Sequence, residues 1–237
     1  MTLLDDALRA YGPAAWRLFT RFVVHMSVRG ILLARESGRS SSYEIVAEGS
    51  FRTRRIQLTG FNAPDRRSLC QSDRVSIEVA PDTVIEARDR PIESLRKCTS
   101  SAQWDDLDLV YFLGMSIWDH IATPFLLARP GLVTEQLPSW LERGSAWRRL
   151  KVSCPSDPGE PPGDQVYYFD NKGLQRRVDA VSIETGHPPL IHYSSAHANF
   201  SGLMVPTLRS SFHQTSDGKH ANKDALIDLE IFDASFS

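Results

Sequence analysis

The sequence predicts a mainly β, α+β fold: a strongly curved antiparallel sheet or half-barrel, with an N-terminal helix and a central apolar lid helix. Three observations carry this expectation. Short runs of period-two alternation recur along the chain, as where Phe22, Val24, Met26 and Val28 alternate with Val23, His25, Ser27 and Arg29. Such runs put one face of a strand in a core and the other in water, which is the habit of antiparallel sheets. Turn-forming clusters separate the runs. One stretch, Leu107 to Leu127, is far more apolar than its surroundings. A sheet of many strands must curl, and its inner face needs an apolar cover.

Taken in order, Leu3 to Tyr11 has helical spacing, with Leu4, Ala7, Leu8 and Tyr11 on one side. Gly12-Pro13 stops it, and a short helical piece is expected from Trp16 to Phe19. Strand runs follow at 22–29, 43–48 and 75–79, with turns over Glu36–Ser42, Asn62–Arg67 and Pro81-Asp82. Ile92–Cys98 reads as a short helix after Pro91. Trp104-Asp105-Asp106 opens the apolar helix with acidic groups in its first turn, where they meet the positive end of the helix dipole. Pro124 and Pro130-Gly131 end it. Sheet then resumes at Ala146–Val152. An irregular Pro-rich loop spans Ser153–Asp164. Gln165–Asp170 and Leu174–Ile183 form a hairpin about Gly173, and after a turn at Gly186–Pro189 the runs 191–200, 204–214 and 225–236 complete a meander. No linker divides the chain, so residues 1–237 read as a single half-barrel domain with a helical lid at about 104–128.

Composition narrows the function classes. Of 237 residues, 41% are hydrophobic and 24% charged, which is ordinary for a globular chain and argues against disorder. The net charge of -2 argues against nucleic acid as a partner. Three cysteines without a CxxC pair do not read as a disulfide framework. The N-terminus lacks a basic region followed by an apolar one, so the sequence reads as cytoplasmic. The Leu107–Leu127 stretch holds Asp108, Asp119, His120 and Pro124, so it is read as a buried helix and not as a membrane span.

The C-terminal half carries the most specific local pattern: Tyr167-Tyr168-Phe169-Asp170-x-x-Gly173-Leu174-x-Arg176-Arg177-x-Asp179, then His192-Tyr193, His197, Phe200, Gly202-Leu203 and Pro206-Thr207-x-Arg209. With Trp104-Asp105-Asp106-Leu107 and Trp118 to Phe125 upstream, it resembles a group of bacterial cytosolic proteins of unassigned activity. It departs from that pattern at Ala180 and Leu208. The order of elements is also similar to the LolA/LolB-like half-barrel of the bacterial outer-membrane lipoprotein carriers. In that fold a curved antiparallel sheet is closed by helices around an apolar cavity. The resemblance implies binding of a hydrophobic molecule.

Candidate chemistry follows from residue type and spacing. Asp119 and His120 sit inside an apolar helix, where a buried carboxylate or imidazole is costly without a partner. Neighbours on a helix diverge by about 100°, so they are not expected to pair with each other. Either group could serve as an acid or base, and the plain alternative is a buried structural pair. On the strand 191–200, Tyr193 and His197 share a face by alternation and His192 points the other way. The functional reading puts Tyr193 and His197 on the concave face. Arg209 offers a cation for a ligand anion, and Trp118, Phe125, Tyr167, Phe169 and Phe200 offer contact area. Arg52, Arg54 and Arg55 read as an exposed strand face.

No GxGxxG, P-loop, GxSxG or HExxH pattern occurs, so no cofactor and no metal site are expected. The leading reading is a protein, monomer or homodimer, that binds a small hydrophobic or amphipathic molecule in a half-barrel cavity. The alternative is a cofactor-free acid/base enzyme, a cyclase, isomerase or hydrolase acting on an apolar metabolite in the same cavity. A plain interaction module is the third.

Overall fold

In the computed structural model the chain starts in the middle of its own sheet and builds outward before returning. The structure describes residues 2–33, 42–61, 63–79, 83–98, 104–142, 144–153, 164–180, 189–220 and 224–237. Two helices, α1 (Leu3–Ala10) and α2 (Pro13–Trp16), precede the first strand, β1 (Arg21–Arg29). To one side of β1 are added β2 (Ser42–Ser50), β3 (Arg55–Thr59), β4 (Arg66–Gln71), β5 (Arg74–Val79) and β6 (Thr83–Asp89). The chain then crosses through α3 (Pro91–Lys97), α4 (Asp106–Ala122) and a 3-10 turn, Phe125–Ala128. It re-enters at the far edge as β7 (Val133–Glu142) and works back through β8 (Ser145–Ser153), β9 (Gln165–Phe169), β10 (Gln175–Ala180), β11 (Leu190–Phe200) and β12 (Leu203–His213). Finally β13 (Ile227–Phe236) pairs with β1. The result is one 13-stranded sheet with β6 and β7 as its edges. Neighbouring strands run antiparallel throughout. The predicted mainly β fold with an N-terminal helix and a central helix is the observed one.

Local chemistry places the helices. Thr2 and Asp5 form a capping box at the start of α1, and Asp105 and Asp108 form one at the start of α4. In each, two backbone N–H groups that the helix leaves unpaired find side-chain acceptors. The second helix occupies Pro13–Trp16, earlier than the expected piece at Trp16–Phe19. Pro13 stands in the first turn, where its fixed φ suits a helix and its missing N–H costs nothing, and Gly12 before it takes φ +85°. The strands β3, β4, β6 and β7 are not among those expected: in β3 the alternation is confined to Ile56 and Leu58, and β4, β6 and β7 sustain none. For β6 and β7 the reason is their edge position: most of their residues are exposed, so no face is selected for apolarity. The expected turn at 62–67 is shorter than predicted, because β4 begins at Arg66. The expected turn at Pro81-Asp82, and most of the turn at Gly186–Pro189 and of the loops at 36–42 and 153–164, lie outside the described residues.

Helix α4 is enclosed. Of its residues only Asp106, Phe112, Ser116 and Asp119 escape full burial, the pattern of a helix surrounded by protein. On one side Trp118 donates to the Ser50 carbonyl, Tyr111 donates to the Ser72 carbonyl, and Cys70 lies against the Val110 carbonyl. On another side β12 reaches it through Pro206 and Arg209. The largest apolar core joins α4 to β1–β5 and β13. A second core lies at the other end of the sheet, where Leu3 and Ala7 of α1 and Leu127 cover Leu150, Val152, Tyr167, Phe169 and Val178. Tyr11, Phe125 and Leu203 form a smaller third cluster. Among the described residues no helix is long and apolar enough to cross a membrane.

Candidate functional site

Residues opposite one another across a ladder project to the same face of a sheet. On β10, Val178 belongs to the helix-covered second core and stands opposite His192 of β11. His192 in turn faces Ser211 of β12, and Ser194 faces Arg209, which on its other side faces the core residue Leu229. Gln175 faces Phe169. The covered face of β10–β12 therefore carries Gln175, His192, Ser194, Arg209 and Ser211, all buried. This polar belt lies between the two large apolar cores.

Most of the belt's groups are paired. His192 Nδ1 is 2.8 Å from Ser211 Oγ, and Gln175 Nε2 donates to Ser194 Oγ at 3.2 Å. From α4, His120 Nε2 is 2.9 Å from the Pro206 carbonyl oxygen. A carbonyl can only accept, so Nε2 carries the proton and Nδ1 is the bare nitrogen. The Pro206 carbonyl is free to accept because β12 joins β13 only from Leu208 to Ser211. At Pro206 the strand behaves as an edge, the setting in which a strand tolerates proline. One turn before His120, the Ser116 carbonyl accepts from Arg209 Nη1 at 2.6 Å. That is the one hydrogen bond of the Arg209 side chain among the described residues, and no carboxylate there lies within ion-pair distance of it.

Burial sets the charge state of the belt. It lowers His120 to about 3, with the Arg209 cation adding to the effect. His192 is pushed well below the ordinary imidazole value by burial and by Arg209. Arg209 itself is lowered to about 10 by burial, against the opposing influence of Asp119 and Tyr167. At neutral pH the belt thus holds one cation and two neutral imidazoles.

The other candidate residues fall into separate settings. Asp119 turns away from its neighbour His120 and takes Arg54 Nη2 on both carboxylate oxygens, at 2.9 and 2.8 Å. The Arg54 guanidinium also lies 5.7 Å from the Trp118 ring centroid, and its side chain is 11% exposed, so it is not part of an exposed strand face. Trp118 is a core residue of α4, and Phe200 packs against that core. Phe125 stacks on Trp16 at 4.3 Å. Tyr167 and Phe169 lie in the second core.

His197 meets Tyr11 at the end of α1. The Tyr11 oxygen accepts from the Gln175 N–H at 3.1 Å and shares a hydrogen bond with His197 Nε2 at 3.0 Å. Burial brings His197 to about 4, reinforced by Arg176.

Tyr193 stands opposite Arg177, away from the face that carries His192, and donates to Glu142. There Arg177 makes four hydrogen bonds, two to Asp179 and one each to Glu142 and the Gly218 carbonyl, and lies against the rings of Tyr168, Trp140 and Tyr193. This cluster ties β7, β9, β10 and β11 together. The alternation along β11 is as expected at 192 and 193, but the covered face is the one that takes His192. Sequence reasoning passed over Gln175, His192, Ser194 and Ser211. No pattern in the sequence singled them out, because β11 and β12 carry polar residues at odd and even positions alike. Among the described residues no group of three or more His, Cys, Asp or Glu side chains is gathered for a metal ion.

A single antiparallel sheet wrapped about a central helix is the LolA-like fold, and solved structures bear this out. The chain is similar to a LolA superfamily protein from Nitrosomonas europaea, with a TM-score of 0.56 at 9% identity over 99% of this chain and 92% of that one. It is equally similar to a DUF1329 family protein from Desulfovibrio piger, with a TM-score of 0.57 at 9% identity over the same shares. No family model matches the sequence, and no curated protein matches it. At such identities the likeness defines the fold.

Proposed function

We propose that the protein binds a small hydrophobic or amphipathic molecule on the helix-covered face of its sheet. One observation carries this reading: a belt of buried polar groups, including one cation, placed between two apolar cores. Polar side chains on the inner face of strands weaken a fold that needs only a core, and departures from local consistency of this kind mark functional sites. Apolar walls with a few convergent polar groups are also the usual composition of small-molecule sites. The LolA-like fold supports the reading, because lipoprotein carriers of that fold enclose an apolar cavity.

Native mass spectrometry of freshly purified protein, followed by solvent extraction, tests it. A stoichiometric apolar adduct is the expected result. Protein that stays free of adduct, both as purified and after incubation with lipid extracts, would overturn it.

A second reading, a cofactor-free acid/base enzyme in the same interior, draws support from the Tyr11–His197 hydrogen bond and from imidazoles held neutral. Conversion of an extracted adduct during incubation, abolished by replacing His120 and His197 together, would favour it over simple binding.

A further inference from the structure

We infer that Arg209 receives the anionic head of the bound molecule, so that the ligand is an amphiphile ending in a carboxylate or phosphate. This rests on the binding reading above and narrows it. Arg209 is 7% exposed and projects from β12 toward α4. A guanidinium has five N–H donors in a planar fork, and here one of them is engaged, by the Ser116 carbonyl. A backbone carbonyl carries no compensating charge.

Elsewhere in this protein buried arginines are neutralised in place. Arg177 has Glu142 and Asp179, and Arg54 holds Asp119 on both oxygens. Those pairs need no ligand. Arg209 alone of the three lacks a carboxylate at ion-pair distance among the described residues; the Asp119 carboxylate, held by Arg54, acts on it only from further off, and a buried charge without a close counter-ion is disfavoured unless something neutralises it.

The surroundings fit an anion better than any protein cation partner. His120 and His192 are neutral there, and the Ser211 and Ser194 hydroxyls lie on the same strand face. The apolar cores on either side of the belt would take the tail. A fork-shaped cation in an interior of low dielectric suits a carboxylate or phosphate, which can accept two parallel N–H bonds.

The test compares three probes with the same C16 chain: palmitate, hexadecyl phosphate and hexadecanol. Affinities are measured by calorimetry for the full chain and for Arg209→Gln and Arg209→Lys. The expected result is that one or both anionic probes bind at least about tenfold tighter than hexadecanol, a difference of the size one charged hydrogen bond confers. The better of the two anions identifies the head group. In Arg209→Gln the anion-to-alcohol ratio falls to near unity, and in Arg209→Lys, which keeps the charge, part of it survives. Equal affinity for all three probes in the unaltered protein overturns the inference while leaving the binding reading intact, and needs no variant to fold. Persistence of the ratio in a folded Arg209→Gln protein also overturns it. Failure of all three probes to bind removes the inference and counts against the binding reading itself.

Discussion

At the scale of the residue, His120 illustrates how burial and function are linked through protons. Its folded value of about 3 lies below the 6.5 of a free imidazole, because burial disfavours the charged ring and Arg209 adds repulsion. The folded state therefore binds fewer protons than the unfolded one. The stability that depends on this group is complete above about pH 6.5 and is lost as pH falls from there toward 3. The slope is about 1.4 kcal/mol per pH unit for one such group. We expect urea unfolding of the unaltered protein to lose about 2–3 kcal/mol more between pH 7 and pH 4.5 than the His120→Gln variant loses. The glutamine amide retains a donor for the Pro206 carbonyl, and other titrating groups are common to both proteins. Equal losses would mean that His120 does not hold its neutral form as the geometry implies.

At the scale of the element, α4 is fixed by close approach to the sheet. A Cβ placed on Gly114 would lie 2.6 Å from Cys70 Sγ and 3.2 Å from an Ile56 methyl. Glycine in an open helix costs about 1 kcal/mol relative to alanine, yet here the sign reverses. Gly114→Ala should destabilise the protein by about 1–3 kcal/mol, the range for overpacking a filled core. Cys70 is fully buried, and burial pushes its thiol pKa up, so it acts as an apolar group at this contact. Replacing it by alanine opens the space. Denaturant midpoints of Gly114→Ala, Cys70→Ala and the double variant should then show that the second change rescues part of the first. Strict additivity would place the clash elsewhere.

At the scale of the whole molecule, the two halves of the sheet are joined by the pairing of β1 with β13, which sets Phe22 opposite Phe236 and Arg29 opposite Asp228. Without β13 the strands would divide into one group from β1 to β6 and another from β7 to β12. The largest core draws on both groups, since it includes Val205 of β12 alongside Ile45, Ile56 and Val75. Contacts between residues so far apart in sequence make folding slow and all-or-none. A chain ending at residue 224 should lack a cooperative unfolding transition in thermal denaturation followed by near-ultraviolet circular dichroism. A sharp transition in that truncated chain would show that the first six strands and α4 fold without the return strand.

Much of this architecture was legible in the sequence because it depends on local pattern. Alternation in 22–29 marked β1, the acidic residues Asp105 and Asp106 marked the start of α4, and the apolar stretch behind them marked the central helix. These signals arise from burial of one face and from unpaired helix-end N–H groups, which each segment expresses alone. The edge strands β6 and β7 gave no such signal, since water on both sides selects no pattern. The site was legible only as a set of residue types. His120 and Arg209 stand 89 positions apart in sequence and meet only because β12 runs beside α4. Alternation determined that His192 and Tyr193 point oppositely along β11, but which face was covered depended on where α1 and α4 docked. The sequence by itself determined the N-terminal and central helices, nine of the thirteen strands and the candidate groups, but not β3, β4, β6 and β7. The tertiary structure decided which arginines were neutralised, which imidazoles were buried, and that one cation remained in the interior without a carboxylate among the described residues. Those outcomes depend on distances across strands and helices, which no single segment encodes.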